Sequence, residues 1–183
     1  MSDRQWVRDV LAKHEGPLLS FAVRITGDVE SARDVVQETF LALCKQRRED
    51  VEARVAEWLY SVARNEAMDV LRKDGRMSAE DVDRVEHASA DASPAAELET
   101  REEGSRVLAV LAHLPAKQRE VLRLKFQAGL SYKEIAKVTG HSIGNVGFLV
   151  HVGLKSLRDR LAVVDASAPG SVVPSSIVKG QVS

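Results

Sequence analysis

Apolar residues recur three and four positions apart along most of this chain, which is the spacing of helices with one buried face. The clearest run lies between residues 114 and 161, where glycines and capping residues divide the pattern into three helices. The first of them follows Pro115 and ends before Gly129. Its apolar side is made by four residues: Val121, Leu122, Leu124 and Phe126.

The second helix of this run has a strong start signal and a strong stop signal. Ser131 and Glu134 form a capping box, in which each side chain accepts a backbone N–H at the other residue. Ile135, Ala136 and Val138 are its apolar positions, and Gly140 ends it with a positive φ. Ser142 then caps a third helix of about twenty residues. A short helix, a tight turn and a longer helix are typical of a DNA-binding helix-turn-helix, although such a hairpin can also be purely architectural.

The charge of this run favours a nucleic-acid partner. Residues 115–161 contain nine basic and three acidic residues, a net charge of +6, in a chain whose net charge is −1. A basic three-helix unit in a neutral chain indicates a polyanionic partner.

The pattern of residues 1–73 predicts a separate helical domain, in which acidic and basic residues are almost equal in number. Trp6 begins one apolar stripe, and we expect Gly16-Pro17 to break it before a second helix from Leu18 to Ile25. A third helix carries a stripe from Ala32 to Leu43. A fourth runs from about Arg54 to Lys73, with a stripe that includes Trp58, Leu59, Ala63, Ala67 and Leu71.

The remaining segments differ in composition. Residues 74–104 have ten acidic and three basic residues and few large apolar ones, which is typical of a flexible linker. Residues 165–183 show no periodicity, and we expect a disordered tail. The sequence thus predicts an all-α protein with two small domains, at 1–73 and 105–164, joined by the acidic linker 74–104.

Residues that carry chemistry are scarce. The five histidines show no metal-ligand spacing, and no phosphate-binding loop or nucleophile elbow occurs, so we predict no metal, no cofactor and no enzymatic activity. Asp34 and Glu38 could form an acid–base pair, but on an exposed helix face a solvated or protein-binding surface suits them better. The single cysteine, Cys44, excludes an internal disulfide and is expected in the core. Without a signal pattern or a membrane-spanning run, we expect a cytoplasmic protein with no membrane insertion.

Three passages of the sequence together resemble one known family. The passages are DVVQETFLAL (34–43), EWLYSVARNEAMDVLRK (57–73) and LPAKQREVLRLKFQAGLSYKEIAKVTG (114–140). They resemble, in this order, three parts of the bacterial sigma factors of the extracytoplasmic-function (ECF) group. The first resembles the acidic-face helix that docks on the clamp coiled coil of RNA polymerase, the second the helix that opens and reads the −10 promoter element, and the third the start of the domain that reads the −35 element. The resemblance covers roughly residues 10–162.

The resemblance implies three sets of contact residues and their partners. Core RNA polymerase would bind Asp34, Gln37, Glu38 and Phe40. The −10 promoter DNA would bind Arg64, Asn65, Asp69, Arg72 and Lys73, which combine cations for phosphates with amides for base edges. Promoter DNA at the helix-turn-helix would bind Ser131, Tyr132, Lys133, Ser142, Asn145, Phe148 and Lys155. An anti-sigma or other inhibitory protein is a further implied partner.

The third helix departs from the family pattern. Leu149, Val152 and Leu154 stand where family members carry basic residues. A core stripe through Ile143, Val146, Val150, Leu154, Leu157 and Leu161 would turn Asn145, Phe148, Leu149 and Val152 outward. Such a helix could be buried on two sides, read adenine through Asn145 and thymine methyls through apolar groups, or face a protein.

We therefore interpret the chain as an alternative sigma factor that binds core RNA polymerase and directs promoter recognition, DNA melting and transcription initiation. Two alternatives remain at this point. A stand-alone helix-turn-helix regulator would need no docking face at Asp34 and Glu38, and an adaptor would bind protein through its apolar third helix.

Overall fold

The computed structural model describes residues 3–75 and 107–167, and within these ranges the regular structure is entirely helical. Seven α-helices have the following bounds: α1 Asp3–Thr26, α2 Val29–Cys44, α3 Arg48–Val51, α4 Val55–Lys73, α5 Ala116–Phe126, α6 Tyr132–Thr139 and α7 Ile143–Ser167. A single 3-10 turn, Glu52–Arg54, joins α3 to α4, and residues 107–112 are also helical. The predicted all-α class is confirmed. Most of the predicted acidic linker and tail lies outside the described residues.

The predicted break at Gly16-Pro17 is wrong, because α1 continues through both residues. Pro17 cannot donate a backbone hydrogen bond, and an interior proline costs about 3 kcal/mol relative to alanine. His14 and Leu18 are nevertheless both buried in the same core on either side of it. Continuous burial of this face offsets the local cost of the proline.

Helices α1, α2 and α4 form the first bundle. The stripes predicted for α2 and α4 are confirmed in the main, since Val35, Leu43, Leu59 and Leu71 are buried. Trp58 is only partly buried, although it packs against the core. In the centre, the rings of Phe21 and Tyr60 meet edge to face with centroids 5.1 Å apart, and burial raises the pKa of Tyr60 to about 12.

The helix-turn-helix forms as its capping residues predict. The backbone N–H groups of Ser131 and Glu134 donate to the Glu134 carboxylate at 2.7 Å and the Ser131 hydroxyl at 3.3 Å. Gly129 and Gly140 have φ values of 71° and 76°, a left-handed conformation that favours glycine. The predicted apolar side of α5 is correct for Val121, Leu122 and Leu124 but wrong for Phe126, which is largely exposed at the last turn.

The buried stripe of α7 is rotated from the predicted one. Leu149 is only 9% exposed, whereas Ile143 is 54% exposed, so both assignments were wrong. Val146, Leu149, Val150 and Gly153 make the buried face, with the three- and four-residue spacing of a helix packed along one side. The two apolar residues at 149 and 150 left the register ambiguous, and the contact with α5 selects the face that includes Leu149.

Gly153 permits the close crossing of α7 and α5. A Cβ atom at this position would lie 3.0 Å from Leu122 Cδ1 and 3.4 Å from Gln118 Cβ. A larger residue at this position would require the Leu122 side chain to shift.

We expect Gly153→Val to lower the free energy of unfolding by about 1–3 kcal/mol, the usual effect of overpacking a core. Gly144→Val is the matched control, because a Cβ atom at Gly144 meets nothing within 4 Å. Urea denaturation of both variants measures the effect. Equal shifts of the unfolding midpoint would contradict the close crossing.

Helices α5, α6 and α7 form a second unit, which packs directly on the first unit, the bundle of α1, α2 and α4. Helix α6 contacts α4, and buried apolar residues of both units belong to one continuous cluster. Within the described ranges, no helix is long and apolar enough to cross a membrane.

Candidate functional site

The polar face of α2 is presented to solvent as predicted. Asp34, Gln37 and Glu38 are exposed, while Val35, Val36 and Leu43 are buried behind them. Phe40 is also buried, so this predicted contact residue supports the face from the core side. The Asp28 side chain fixes the start of the helix by accepting the Ser31 N–H at 2.7 Å. The result is an exposed surface with two carboxylates and an amide.

An apolar groove of about 640 Å³ lies beside this face, between α1 and α2. Leu11 and Leu41 line it with substantially exposed side chains, and Cys44 is exposed there as well. The prediction that Cys44 is a core residue is therefore wrong. Sequence reasoning missed this groove, although Leu41 on the otherwise polar side of α2 was an available signal.

The predicted −10 residues on α4 fall into two groups. Asn65, Arg72 and Lys73 are exposed, and Arg72 Nη1 contacts the Asp69 carboxylate at 2.6 Å within the helix. Arg64 instead faces the second unit. Its Nε donates to Glu120 on α5 at 2.8 Å, and the two side chains are only 17% and 22% exposed.

A second ion pair between the units was missed by the sequence reasoning. Lys137 Nζ on α6 lies 3.1 Å and 2.9 Å from the two carboxylate oxygens of Glu57 on α4. Glu57 is 6% exposed, and Arg54 Nη1 lies 3.9 Å from it on the other side. A charged residue adjacent to Trp58 was the only sequence signal, and it gave no indication of a partner eighty residues away.

Basic residues gather close to the same contact. Burial and the nearby guanidinium groups of Arg24 and Arg119 lower the pKa of Arg123 to about 9. Burial, followed by the charge of Arg119, also lowers the pKa of Arg24. The contact between α1, α4 and α5 thus holds like charges as well as the ion pair of Arg64.

The predicted reading surface of the helix-turn-helix is exposed but weakly charged. All seven predicted residues lie at the surface: Ser131, Tyr132, Lys133, Ser142, Asn145, Phe148 and Lys155. The two serine hydroxyls accept capping hydrogen bonds, from Glu134 N at 3.3 Å and Asn145 N at 3.2 Å. Phe148 is 63% exposed, whereas Val152 is only partly exposed. Apolar and amide groups therefore dominate the start of α7.

Metal chemistry has no visible support in the described part of the chain. Among residues 3–75 and 107–167, no three His, Cys, Asp or Glu side chains converge closely enough to hold a metal ion.

Comparison with known proteins agrees with this arrangement of two helical units. The family model for sigma-70 region 2 matches residues 10–77, and the model for sigma-70 region 4 matches residues 105–157. The ECF RNA polymerase sigma factor SigD of Mycobacterium tuberculosis is 33% identical over 166 residues, which cover 87% of this chain and 78% of SigD. The chain belongs to the ECF sigma factors. As one of them, it is a sigma factor that acts in promoter recognition. The family consists of DNA-binding transcription factors and is not known to contain enzymes.

Further relatives of this sigma factor are known. The ECF RNA polymerase sigma factor SigE of Mycolicibacterium smegmatis is 30% identical over 158 residues, which cover 84% of the present chain but only 61% of SigE. Among solved structures, the sigma factor RpoE in complex with the anti-sigma factor NepR from Bartonella quintana superposes with a TM-score of 0.62 at 27% identity. That match covers 85% of this sigma factor and 96% of RpoE.

Another solved structure supports the fold alone. CnrH, in complex with the cytosolic domain of CnrY, gives a TM-score of 0.56 at 23% identity and covers 91% of this sigma factor and 92% of CnrH.

Proposed function

We propose that this sigma factor binds core RNA polymerase through the exposed face of α2 and engages the −10 element through α4. The observation that carries the proposal is the exposed trio Asp34, Gln37 and Glu38, which lies opposite the buried apolar face of α2 in the unit that matches sigma-70 region 2. Two carboxylates and an amide at this spacing can accept hydrogen bonds from Arg or Lys side chains of a partner helix.

The apolar groove extends the proposed docking surface. Its wall includes Gln37 and the exposed Leu41, so polar and apolar contacts can be made by one partner helix lying along α2. Charged contacts would orient the helix, while burial of Leu11 and Leu41 would add affinity that does not depend on salt.

Helix α4 offers the groups that a melted promoter strand requires. The exposed Asn65 amide can bind a base edge, while Arg72 and Lys73 can bind phosphates. Unstacked bases in an opened strand are accessible to such side chains one at a time. We assign Arg64 to the same surface, where it becomes available once Glu120 releases it.

We also propose functional boundaries and partners for the chain. Residues 1–73 would serve polymerase and −10 binding, residues 74–104 would link the domains, residues 105–164 would contact the upstream promoter element, and residues 165–183 would form a tail. Because polymerase and promoter DNA would be its partners, we place its action in the cytoplasm. The RpoE–NepR complex supports an anti-sigma or other inhibitory protein as a further partner.

Helix α7 would read DNA by contacts that need few cations. Asn145 can hydrogen-bond adenine, and exposed Phe148 can contact thymine methyl groups. The family model of region 4 includes this part of α7, which favours DNA over protein as its partner. Leu149 and Val152 are not part of this reading surface, because Leu149 is buried and Val152 is partly buried.

We expect Phe148→Arg to raise the affinity for non-specific duplex DNA and to steepen its salt dependence by about one further counterion. The added guanidinium would lie on the same exposed side of α7 as Asn145, where it could bind a phosphate of the duplex. Val163→Arg is the control, because Val163 is 66% exposed near the other end of the same helix. Fluorescence anisotropy across a salt series measures both variants, and identical slopes would contradict a DNA-facing Phe148.

The proposed function is tested by mixing the purified chain with sigma-free core RNA polymerase. We expect co-elution in gel filtration and protection of promoter DNA only when both components are present. Salt-dependent DNA binding without any polymerase binding would instead identify a stand-alone helix-turn-helix regulator. A folded chain that binds neither polymerase nor DNA would contradict the proposed function and leave the adaptor alternative.

A further inference from the structure

The contact between the two units covers part of the surface that the proposed function assigns to the −10 element. Arg64 is the residue that shows this most directly, because Glu120 of α5 occupies its Nε at 2.8 Å. Only 17% of the Arg64 side chain is exposed. A DNA phosphate would have to displace the Glu120 carboxylate to bind at this Nε.

The second ion pair lies on the same side of α4, seven residues earlier. Glu57 is nearly inaccessible to water and receives Lys137 through both carboxylate oxygens. In the packed arrangement, removal of Lys137 would leave the buried Glu57 carboxylate with only Arg54, at 3.9 Å, to offset its charge, which is unfavourable. The packed arrangement therefore depends on the Glu57–Lys137 pair.

The acid and the base are exchanged between the two units from one ion pair to the other, so the charges match in only one alignment of the units. Helix α4 supplies an acid at 57 and a base at 64, while the second unit supplies a base at 137 and an acid at 120. A shifted docking of α5 and α6 would bring like charges together. The charges thus specify one arrangement, and the continuous apolar cluster across the contact provides nonspecific attraction.

We propose that these two ion pairs form an intramolecular latch, which holds the second domain over α4 and keeps the free sigma factor from binding the −10 strand. The latch opens when the sigma factor on core RNA polymerase contacts the promoter, because that contact requires Arg64 to exchange Glu120 for DNA. This inference rests on the proposed function only for the role of Arg64. The closed arrangement itself can be measured without polymerase or DNA.

The first measurement follows the separation of the domains. Cys44 is exposed on α2 in the first domain, and Asp159→Cys introduces a second exposed thiol on α7. Labelling both with a donor and an acceptor dye reports closure by energy transfer. We expect high transfer in the parent protein, a clear loss in Lys137→Glu, and recovery in the charge-swapped pair Glu57→Lys with Lys137→Glu.

The second measurement uses a fluorescein-labelled, mixed-sequence single-stranded DNA, which tests phosphate binding without a known promoter. We expect Lys137→Glu to bind it about tenfold more tightly than the parent, since affinity scales with the open fraction. Glu120→Gln, which leaves Arg64 in place, should also bind the DNA strand more tightly than the parent. The charge-swapped pair should return to the affinity of the parent.

Two control variants separate the latch from a change of net charge. Arg158→Glu makes the same charge change as Lys137→Glu on the exposed face of α7. Glu52→Lys breaks an ion pair with Arg48 that lies wholly within the first domain. Both should retain high energy transfer and should not bind the DNA strand more tightly.

The outcomes distinguish the latch from the proposed function. Unchanged energy transfer in Lys137→Glu, or failure of the charge swap to restore it, would overturn the latch. Loss of transfer without tighter DNA binding would overturn the inhibitory role. Parallel changes in both signals, restored by the swap, would support the latch even if core polymerase failed to bind, and that failure would count against the proposed function alone.

Discussion

The double variant Asp34→Lys with Glu38→Lys is expected to lose core polymerase binding while it keeps its helical content and its thermal stability. Both side chains are exposed on α2, and the residues that hold this helix are on its opposite side. A hydrogen bond to a charged group contributes about 1.5–3 kcal/mol, so loss of two should weaken binding by more than about a hundredfold. Reversal of the charges adds repulsion to that loss.

Competition binding to sigma-free core polymerase measures this effect. Glu49→Lys with Asp50→Lys is the matched control, because it makes the same charge change at two exposed acids on α3. That variant should bind almost as tightly as the parent. Normal polymerase binding by a folded Asp34/Glu38 variant would remove α2 from the docking surface.

The second large effect is expected at the −10 element. Arg64→Ala with Asn65→Ala should reduce the yield of open complexes by at least about tenfold, since a cationic and an amide contact are lost together. Binding to core polymerase should survive, because both residues lie on α4 and not on the exposed face of α2. Permanganate reactivity of unpaired thymines at the start site reports DNA melting directly.

Glu120→Gln is the control that separates melting from domain closure. It breaks the ion pair of Arg64 but leaves both proposed DNA-binding side chains intact. We expect it to melt promoter DNA at least as well as the parent. Equal permanganate footprints for the parent and the Arg64/Asn65 variant would show that these residues do not act on the melted strand.

Local signals predicted the local structure well. The capping box at Ser131 and Glu134, the cap at Ser142 and the stop at Gly140 all form, because each depends on residues within a few positions of one another. The stripe of α4 was also correct in outline, since a long regular period leaves one face to bury. Pro17 was misjudged because a proline acts locally, whereas the burial that keeps α1 continuous is tertiary.

Features that depend on long-range packing were not predictable in the same way. The register of α7 was missed because Leu149 and Val150 are adjacent, and only contact with α5 decides which of the candidate faces is buried. The pairs Glu57–Lys137 and Arg64–Glu120 join residues 80 and 56 positions apart. No sequence period connects such partners. Apart from the buried Phe40, the contact residues predicted on α2 and α7 are exposed, but exposure does not test their roles.

The central claim is that this chain directs core RNA polymerase to promoters and melts them. The most direct measurement is transcription of a genomic promoter library by sigma-free core polymerase with this protein as the sole added factor, followed by mapping of RNA 5′ ends. The account predicts a limited set of start sites that share an upstream sequence at fixed spacing and disappear with the Asp34/Glu38 variant. Start sites identical to those of core polymerase alone, or unchanged by that variant, would contradict it.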